Sequence, residues 1–255
     1  VMTLHNAGSR SAQVMALGLS EEEADVLVEV FGGRRSEAAW LTVKDAPDRA
    51  PLRVRGRLVV VSTRKERDSM VRSGPVPVLW VPSGMAFGTG EHATTSMCLR
   101  HVVDEALVRG KGDVPWTMLD VGTGSGILAM AARVMGARKV TATDHDADAV
   151  AVTAENLAAN GVEGVRVLKA DILRKALPVT ADVVAANLFS GILIEAARTV
   201  SASVKAAGVL ILSGILRDQE DAVRVAYVRQ GLEHRRTVRK GKWVSLVLER
   251  SGPRA

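Results

Sequence analysis

Aromatic side chains are scarce. Phe, Trp and Tyr make up 3% of the 255 residues, which excludes an interior of stacked rings. The core must be assembled from Ala, Val, Leu and Ile, which suits close packing of helices on a sheet. Cysteine is scarcer still. The single Cys98 excludes an intramolecular disulfide, and no Cys/His cluster stands at zinc-site spacing, so no metal is expected. No apolar run approaches the ~20 residues that span a bilayer, and the first residues lack the basic-then-apolar layout of a signal peptide. These absences give the expectation of a cytoplasmic protein with no membrane partner.

What is present is an ordinary globular composition, 47% hydrophobic and 24% charged, long enough for one sizeable core and a small additional unit. The net charge of +6 permits an acidic or nucleic-acid-bearing partner without requiring one, and direct nucleic-acid contact stays open.

The chain is organised around Thr117-Met-Leu-Asp-Val-Gly-Thr-Gly-Ser-Gly-Ile-Leu-Ala-Met-Ala-Ala132, a buried strand running through a glycine turn into a helix. Gly122, Gly124 and Gly126 let the backbone bend sharply and let a ligand approach it. The helix that follows offers free N–H groups and a positive dipole end. The dinucleotide fingerprint G-x-G-x-x-G would need its third glycine where Ile127 stands. The pattern Asp120-x-Gly122-x-Gly124-x-Gly126 resembles instead motif I of the S-adenosylmethionine-dependent methyltransferases. There the first acidic residue orders the loop beside the methionine part of the cofactor.

Upstream, Ser20-Glu-Glu-Glu23 reads as a capping box before a helix with Ala24, Leu27, Val28 and Phe31 on one face, stopped by Gly32-Gly33. Residues 38–43 read as a strand. Residues 1–50 form a small N-terminal unit suited to substrate recognition, and residues 51–255 the main domain. Arg57–Ser62 and Val78–Val81 read as strands, the latter short or at an edge because prolines bracket it. The charged run Arg64–Asp68 reads as solvated surface. Pro82–Thr95 is a glycine-rich loop ending in hydroxyl residues suited to cap the next helix, and it reads as a second wall of the pocket. In that next helix Leu99, Val102, Val103 and Ala106 form one stripe, and Cys98 reads as core.

Downstream, strands are expected at 139–144, 165–171, 181–188 and 208–214, with helices at 147–160, 190–205 and 218–229 and two closing strands at 233–240 and 243–248. This is an α/β chain: a doubly wound, seven-stranded, Rossmann-like sheet with a final antiparallel strand. Such sheets bind ligands at the carboxyl ends of central strands. Asp144 lies ~20 residues beyond the glycines, where a carboxylate accepts from both ribose hydroxyls; the alternative is a cap for the helix beginning near Asp146. Asp171 either bonds an adenine amine or caps a loop. Asn187 is the polar residue at the end of the fourth strand.

The chain from about Arg57 to Glu249 resembles the bacterial methyltransferases that modify large-subunit ribosomal protein eleven, the PrmA family. The resemblance rests on Pro82–Thr95, Leu119–Ala129, Ala185–Leu188 and Leu212–Ile215, of which the first is the most selective. It implies S-adenosyl-L-methionine as cofactor, contacts from Thr95, Gly122, Asp144 and Asn187, and Asn187 facing an incoming amine on a lysine or N-terminus. The Asn187 side-chain oxygen and the Leu188 carbonyl are then the acceptors that orient the amine. Asn187-Leu-Phe-Ser190 lacks the prolines found at this position in many methyltransferases of nucleobase or glutamine nitrogens, which fits an aliphatic amine better than a flat amide. Phe189 lines the amine channel or packs under the helix, and His92 either relays a proton, contacts the cofactor carboxylate or is structural. Residues 1–50 do not match the separate α+β domain by which PrmA-type enzymes grip the ribosomal protein.

Overall fold

A computed structural model describes residues 2–5, 12–15, 26, 29, 50–82, 92–111, 115–177 and 179–252. The chain divides into two compact units, Val1–Val43 and Lys44–Ala255. In the first, β1 (Met2–His5) pairs antiparallel with β2 (Ala12–Met15), a pairing not expected from the sequence. Val26 and Glu29 are helical and exposed, as positions off the expected apolar face should be. The capping box, the Gly32-Gly33 stop and the strand expected at 38–43 lie outside the described residues.

The second unit opens with a three-stranded sheet in the order β3 (Leu52–Val54), β4 (Leu58–Val61), β5 (Val78–Trp80). Arg55 and Gly56 both have positive φ, 53° and 64°, and Arg57 N–H donates to Val54 O at 2.9 Å. This is the left-handed pair that a tight hairpin needs. Arg is unfavoured there, which is why β3 is invisible to a turn-signal reading; a 2.8 Å ion pair from Arg55 to Asp104 holds it. The charged run is solvated but also helical: α1 (Arg64–Ser73) has no buried residue. Its start is a reciprocal cap, Glu66 N–H to Thr63 Oγ1 at 3.2 Å and Thr63 Oγ1 to Glu66 Oε2 at 3.0 Å.

Helix α2 (Ala93–Gly110) then leads to the main sheet. Its members in chain order are β6 (Thr117–Val121), β7 (Lys139–Asp144), β8 (Val165–Lys169), β9 (Ala181–Asn187), β10 (Val204–Leu216), β11 (Leu232–Lys240) and β12 (Trp243–Arg250). In space they run β11-β12-β10-β9-β6-β7-β8. The five from β10 to β8 are parallel, and β12 is antiparallel to both its neighbours. Strand order reverses between β6 and β9, so the crevice of a doubly wound sheet opens at their carboxyl ends.

Alternation along the strands divides two cores. Met118, Val183, Ala185, Val209 and Ile211 face one, with α2 and α3 (Ile127–Val134). Leu119, Val121, Val184, Ala186, Leu210 and Leu212 face the other, with α5 (Ser190–Glu195), α6 (Ala197–Ala202) and α7 (Glu220–Val228). Helix α4 (Ala147–Asn160) lies between β7 and β8 in the chain. The single helix expected over 190–205 is two. Ala196 at φ −82°, ψ 2° ends α5 and begins α6, while Leu193, Ala196, Ala197 and Val200 keep one buried face across the break, so periodicity does not reveal it. The second piece stops early because Val204 joins the sheet opposite Ala181 and is buried. For the same reason β10 starts before the expected Gly208. Strand β8 ends at Lys169, which leaves Asp171 in the following turn. Among the described residues no helix is long and apolar enough to cross a membrane.

Candidate active site at the carboxyl edge

Strand β6 delivers the chain into a loop in which Gly122, Gly124 and Gly126 have φ of 68°, 55° and 79°. The N–H groups of Gly122 and Thr123 both donate to Thr143 O, at 2.8 and 3.0 Å, drawing the loop over the tip of β7. Asp120 is almost wholly buried beneath it, and its Oδ2 accepts from Thr123 Oγ1 at 2.7 Å and Ala129 N–H at 3.2 Å. Burial pushes this carboxyl up to about 6, against the lowering effect of those two bonds, and the charge of Asp144 adds to the rise. Asp120 therefore acts on the loop from below, joining its start to the first turn of α3.

The loop is braced from α4. Thr153 Oγ1 donates to Gly124 O at 2.9 Å and Asn156 Nδ2 to Ser125 O at 2.8 Å. The fit is close: a Cβ on Gly126 would stand 2.8 Å from Thr153 Cγ2. The far end of α4 is anchored in turn, because the Asn160 amide accepts from Trp80 N–H at 2.7 Å and donates to Trp80 O at 2.8 Å. It thereby satisfies the outer edge of β5 as a strand would.

At the tip of β7, Asp144 Oδ2 accepts from Gly124 N–H at 3.0 Å and Oδ1 from Asp146 N–H at 3.1 Å, with His145 Nδ1 3.2 Å away. The helix-cap alternative is answered by Asp146, whose own Oδ1 accepts from Asp148 N–H at 3.0 Å. An ionised carboxylate offers about four acceptor positions. Asp144 is thus pinned by backbone donors while acceptor capacity remains for a pair of hydroxyls. A glycine cradle beside a fixed carboxylate fits a ribose-bearing cofactor.

On the other side of β6 lies the tip of β9. Asn187 stands opposite Ser213 of β10, and its Nδ2 reaches Thr95 Oγ1 on α2 at 3.4 Å. Leu188 N–H donates to Ser213 O at 3.1 Å. The Leu188 side chain fills the space where a Cβ of Gly122 would stand, in direct contact with that glycine. Phe189 is 64% exposed at the N-cap of α5 and does not pack beneath that helix.

Thr95, Asp120, Gly122, Gly124, Gly126, Asp144, Asn187 and Leu188 thus gather on neighbouring strands and the helix above them. Asp171 lies one strand further out, in the turn after β8, where Oδ1 accepts from Leu173 N–H at 3.0 Å and Oδ2 pairs with Arg174 at 3.3 Å. Most of the glycine-rich loop, residues 83–91 with Met85 and Phe87, lies outside the described residues. Its hydroxyl end does not cap α2: the N-cap is His92, and Thr94 and Thr95 lie in the first turn. His92 Nδ1 bonds Thr94 Oγ1 at 2.7 Å, and its ring meets Trp243 edge-on at 4.7 Å. Burial, then the Lys242 charge, lower its pKa, which disfavours the charged imidazolium. Cys98 is core, and burial pushes its thiol up to about 12.

A family model described as ribosomal protein L11 methyltransferase (PrmA) matches residues 6–251. The chain belongs to the PrmA family. The match reaches well ahead of Arg57, so it includes most of the N-terminal unit in which motif reading found no likeness. Curated PrmA relatives named ribosomal protein L11 methyltransferase include those of Pelobacter propionicus, 42% identical over 204 residues, and Geobacter metallireducens, 44% identical over 207. These alignments cover 79% and 78% of this chain and 63% and 62% of the relatives, so the chain spans under two thirds of their length. A crystal structure of ribosomal protein L11 methylase from Lactobacillus delbrueckii subsp. bulgaricus superposes with a TM-score of 0.67 at 27% identity, covering 79% of this chain and 98% of that one.

Two contributors lie outside the motifs. Thr153 and Asn156 are buried polar residues three apart on α4, a pattern that asks for a partner. Gly214, inside the Leu212–Ile215 stretch that carries the resemblance, is an isolated glycine within a strand, a signal of a bulge or close backbone approach.

Proposed function

We propose that this chain is the methyl-transfer part of an S-adenosylmethionine-dependent N-methyltransferase. Its substrate would be a protein amine, a lysine side chain or N-terminus, of ribosomal protein L11. The observation that carries this reading is the adjacency of three strand tips: the glycine loop of β6 with the pinned Asp144 of β7 on one side, and Asn187-Leu188 of β9 on the other. Relatives with this name and the match over 6–251 support the substrate class. Residues 1–50 are proposed to contribute to substrate recognition.

When bound, S-adenosylmethionine supplies a methyl group already activated on a sulfonium. Gly122, Gly124 and Gly126 would admit it, Asp144 would accept from its ribose hydroxyls, and Thr95 would line the same site. Asp171 would reach the adenine from the turn after β8. Asn187 directs its donor end to Thr95, so its oxygen is the end suited to accept from an amine beside the Leu188 carbonyl. An amine with a pKa near 10.4 has to arrive neutral, which costs on the order of 4–5 kcal/mol at pH 7. Partial burial disfavours the ammonium form and lowers that cost. The task left to the chain is alignment.

The test is incubation of the full chain with tritiated S-adenosylmethionine and recombinant bacterial ribosomal protein L11. Label is expected in that protein on amine nitrogen. Label confined to other proteins or small amines of an added cell extract contradicts the substrate, and no transfer to any acceptor contradicts the activity.

A further inference from the structure

We propose that Gly214 is a positioning residue that sets the location of the Leu188 carbonyl. This rests on the reading above, in which that carbonyl helps orient the amine. Gly214 follows Ser213, the register partner of Asn187, and lies where the pairing of β10 with β12 shifts between Leu212 and Ile215. Its φ of +85° belongs to the region that favours glycine. A Cβ there would stand 2.8 Å from the Leu188 carbonyl carbon and 3.1 Å from its nitrogen, and would overlap the carbonyl oxygen. All three are backbone atoms, which cannot swing aside as a side-chain end can.

Leu188 is therefore gripped twice. On the β6 side its side chain lies against Gly122 of the cofactor loop; on the β10 side its backbone lies against Gly214 and bonds Ser213 O. The first contact ties the amine-facing tip to the cofactor loop. The second has no part in the loop, and it fixes how closely the carbonyl approaches the neighbouring strand. Any side chain at 214 forces the carbonyl outward, while Asp144 and Gly124 are held by hydrogen bonds in which Leu188 has no part.

The experiment compares the wild-type full chain with Gly214→Ala and Gly136→Ala. Gly136 has φ +98° with open space around it, so its substitution adds backbone strain without a contact. With ribosomal protein L11 as acceptor, Gly214→Ala is expected to lose about 100-fold in kcat, the cost of a misplacement near 1 Å. Calorimetric affinity for S-adenosylhomocysteine is expected to be unchanged. Amide exchange in the segment 187–189, measured without ligand, is expected to quicken because the Leu188 N–H bond to Ser213 is disturbed. Gly136→Ala is expected to lower the melting temperature and keep wild-type kcat. Gly214→Asn, which tolerates a left-handed backbone, retains the contact with less strain and is expected to reproduce the kcat loss if Gly214→Ala does not fold.

Wild-type kcat or unchanged exchange at 187–189 in the Gly214 variants would overturn the proposal, as would a parallel loss of S-adenosylhomocysteine affinity. A wild-type chain that labels no amine contradicts the proposed function instead, and the exchange comparison still decides whether Gly214 holds Leu188.

Discussion

The tip of β6 is held by hydrogen bonds. Thr143 O takes two loop N–H groups, Asp120 takes Thr123 and Ala129 from below, and Thr153 and Asn156 secure the carbonyls of Gly124 and Ser125. The tip of β9, one strand away, is held mainly by contact: Leu188 sits between Gly122 and Gly214 with one backbone bond to Ser213, and Phe189 beyond it is largely exposed. On the function proposed above, the difference follows from what each tip would do. A cofactor of fixed shape is met by a loop whose donors and acceptors are set in advance, whereas a flexible amine needs a few acceptors at a defined distance and an open approach. Variants should therefore separate cofactor affinity from turnover.

The largest separation is expected from Asn187→Ala, which should lower kcat by about 100-fold or more with a much smaller loss of affinity for S-adenosylhomocysteine; steady-state kinetics beside calorimetry measures both. A parallel fall in the two would mean that the tips do not divide the work. Asp144→Ala should do the reverse. Losing a charged acceptor that holds hydroxyls costs about 1.5–3 kcal/mol, roughly a 10- to 150-fold weaker Kd, read by the same titration. Undiminished binding would contradict the ribose assignment.

Asp120 sharpens the comparison through pH. Its folded pKa of about 6 lies above the ordinary 3.8, so the folded chain holds this proton more tightly than the unfolded one. The stability it contributes is fully present below the unfolded value and is lost as pH rises through about 6. Chemical denaturation of wild type minus Asp120→Asn should therefore slope downward between pH 4 and 6, by on the order of 3 kcal/mol in total. A flat difference would mean that Asp120 is ionised at little cost. The smallest effect is expected from Asn156→Ala, which leaves Ser125 O without that donor and should cost about 1–3 kcal/mol of stability with kcat for bound cofactor preserved.

Much of the β6 tip is legible in the sequence because each requirement falls on adjacent residues: a strand, an acid, alternating glycines, a helix. Asp144 is found the same way, at a fixed distance downstream. Strand alternation likewise gives the sheet and its antiparallel last member. The β9 tip is legible only as Asn187-Leu188, since what holds it comes from Gly122, 66 positions earlier in the chain (188 − 122), and from Gly214 beyond. Close approaches to a glycine backbone leave no periodic trace. The break at Ala196 is hidden because both short helices keep one buried face, and the Arg55-Gly56 turn because its first residue is an unfavoured one. The helix over Arg64–Ser73, by contrast, announces itself by Thr63 and Glu66 at capping-box spacing, a signal obscured by the charge run.

The central claim is that separate strand tips meet around one ligand. Amide hydrogen exchange of the full chain with and without saturating S-adenosylhomocysteine tests it most directly. Protection is expected together in the segments 122–126, 144–146 and 187–189, with the edge hairpin of β11 and β12 unchanged. Protection confined to one of these segments, or appearing elsewhere while all three exchange as before, would contradict it.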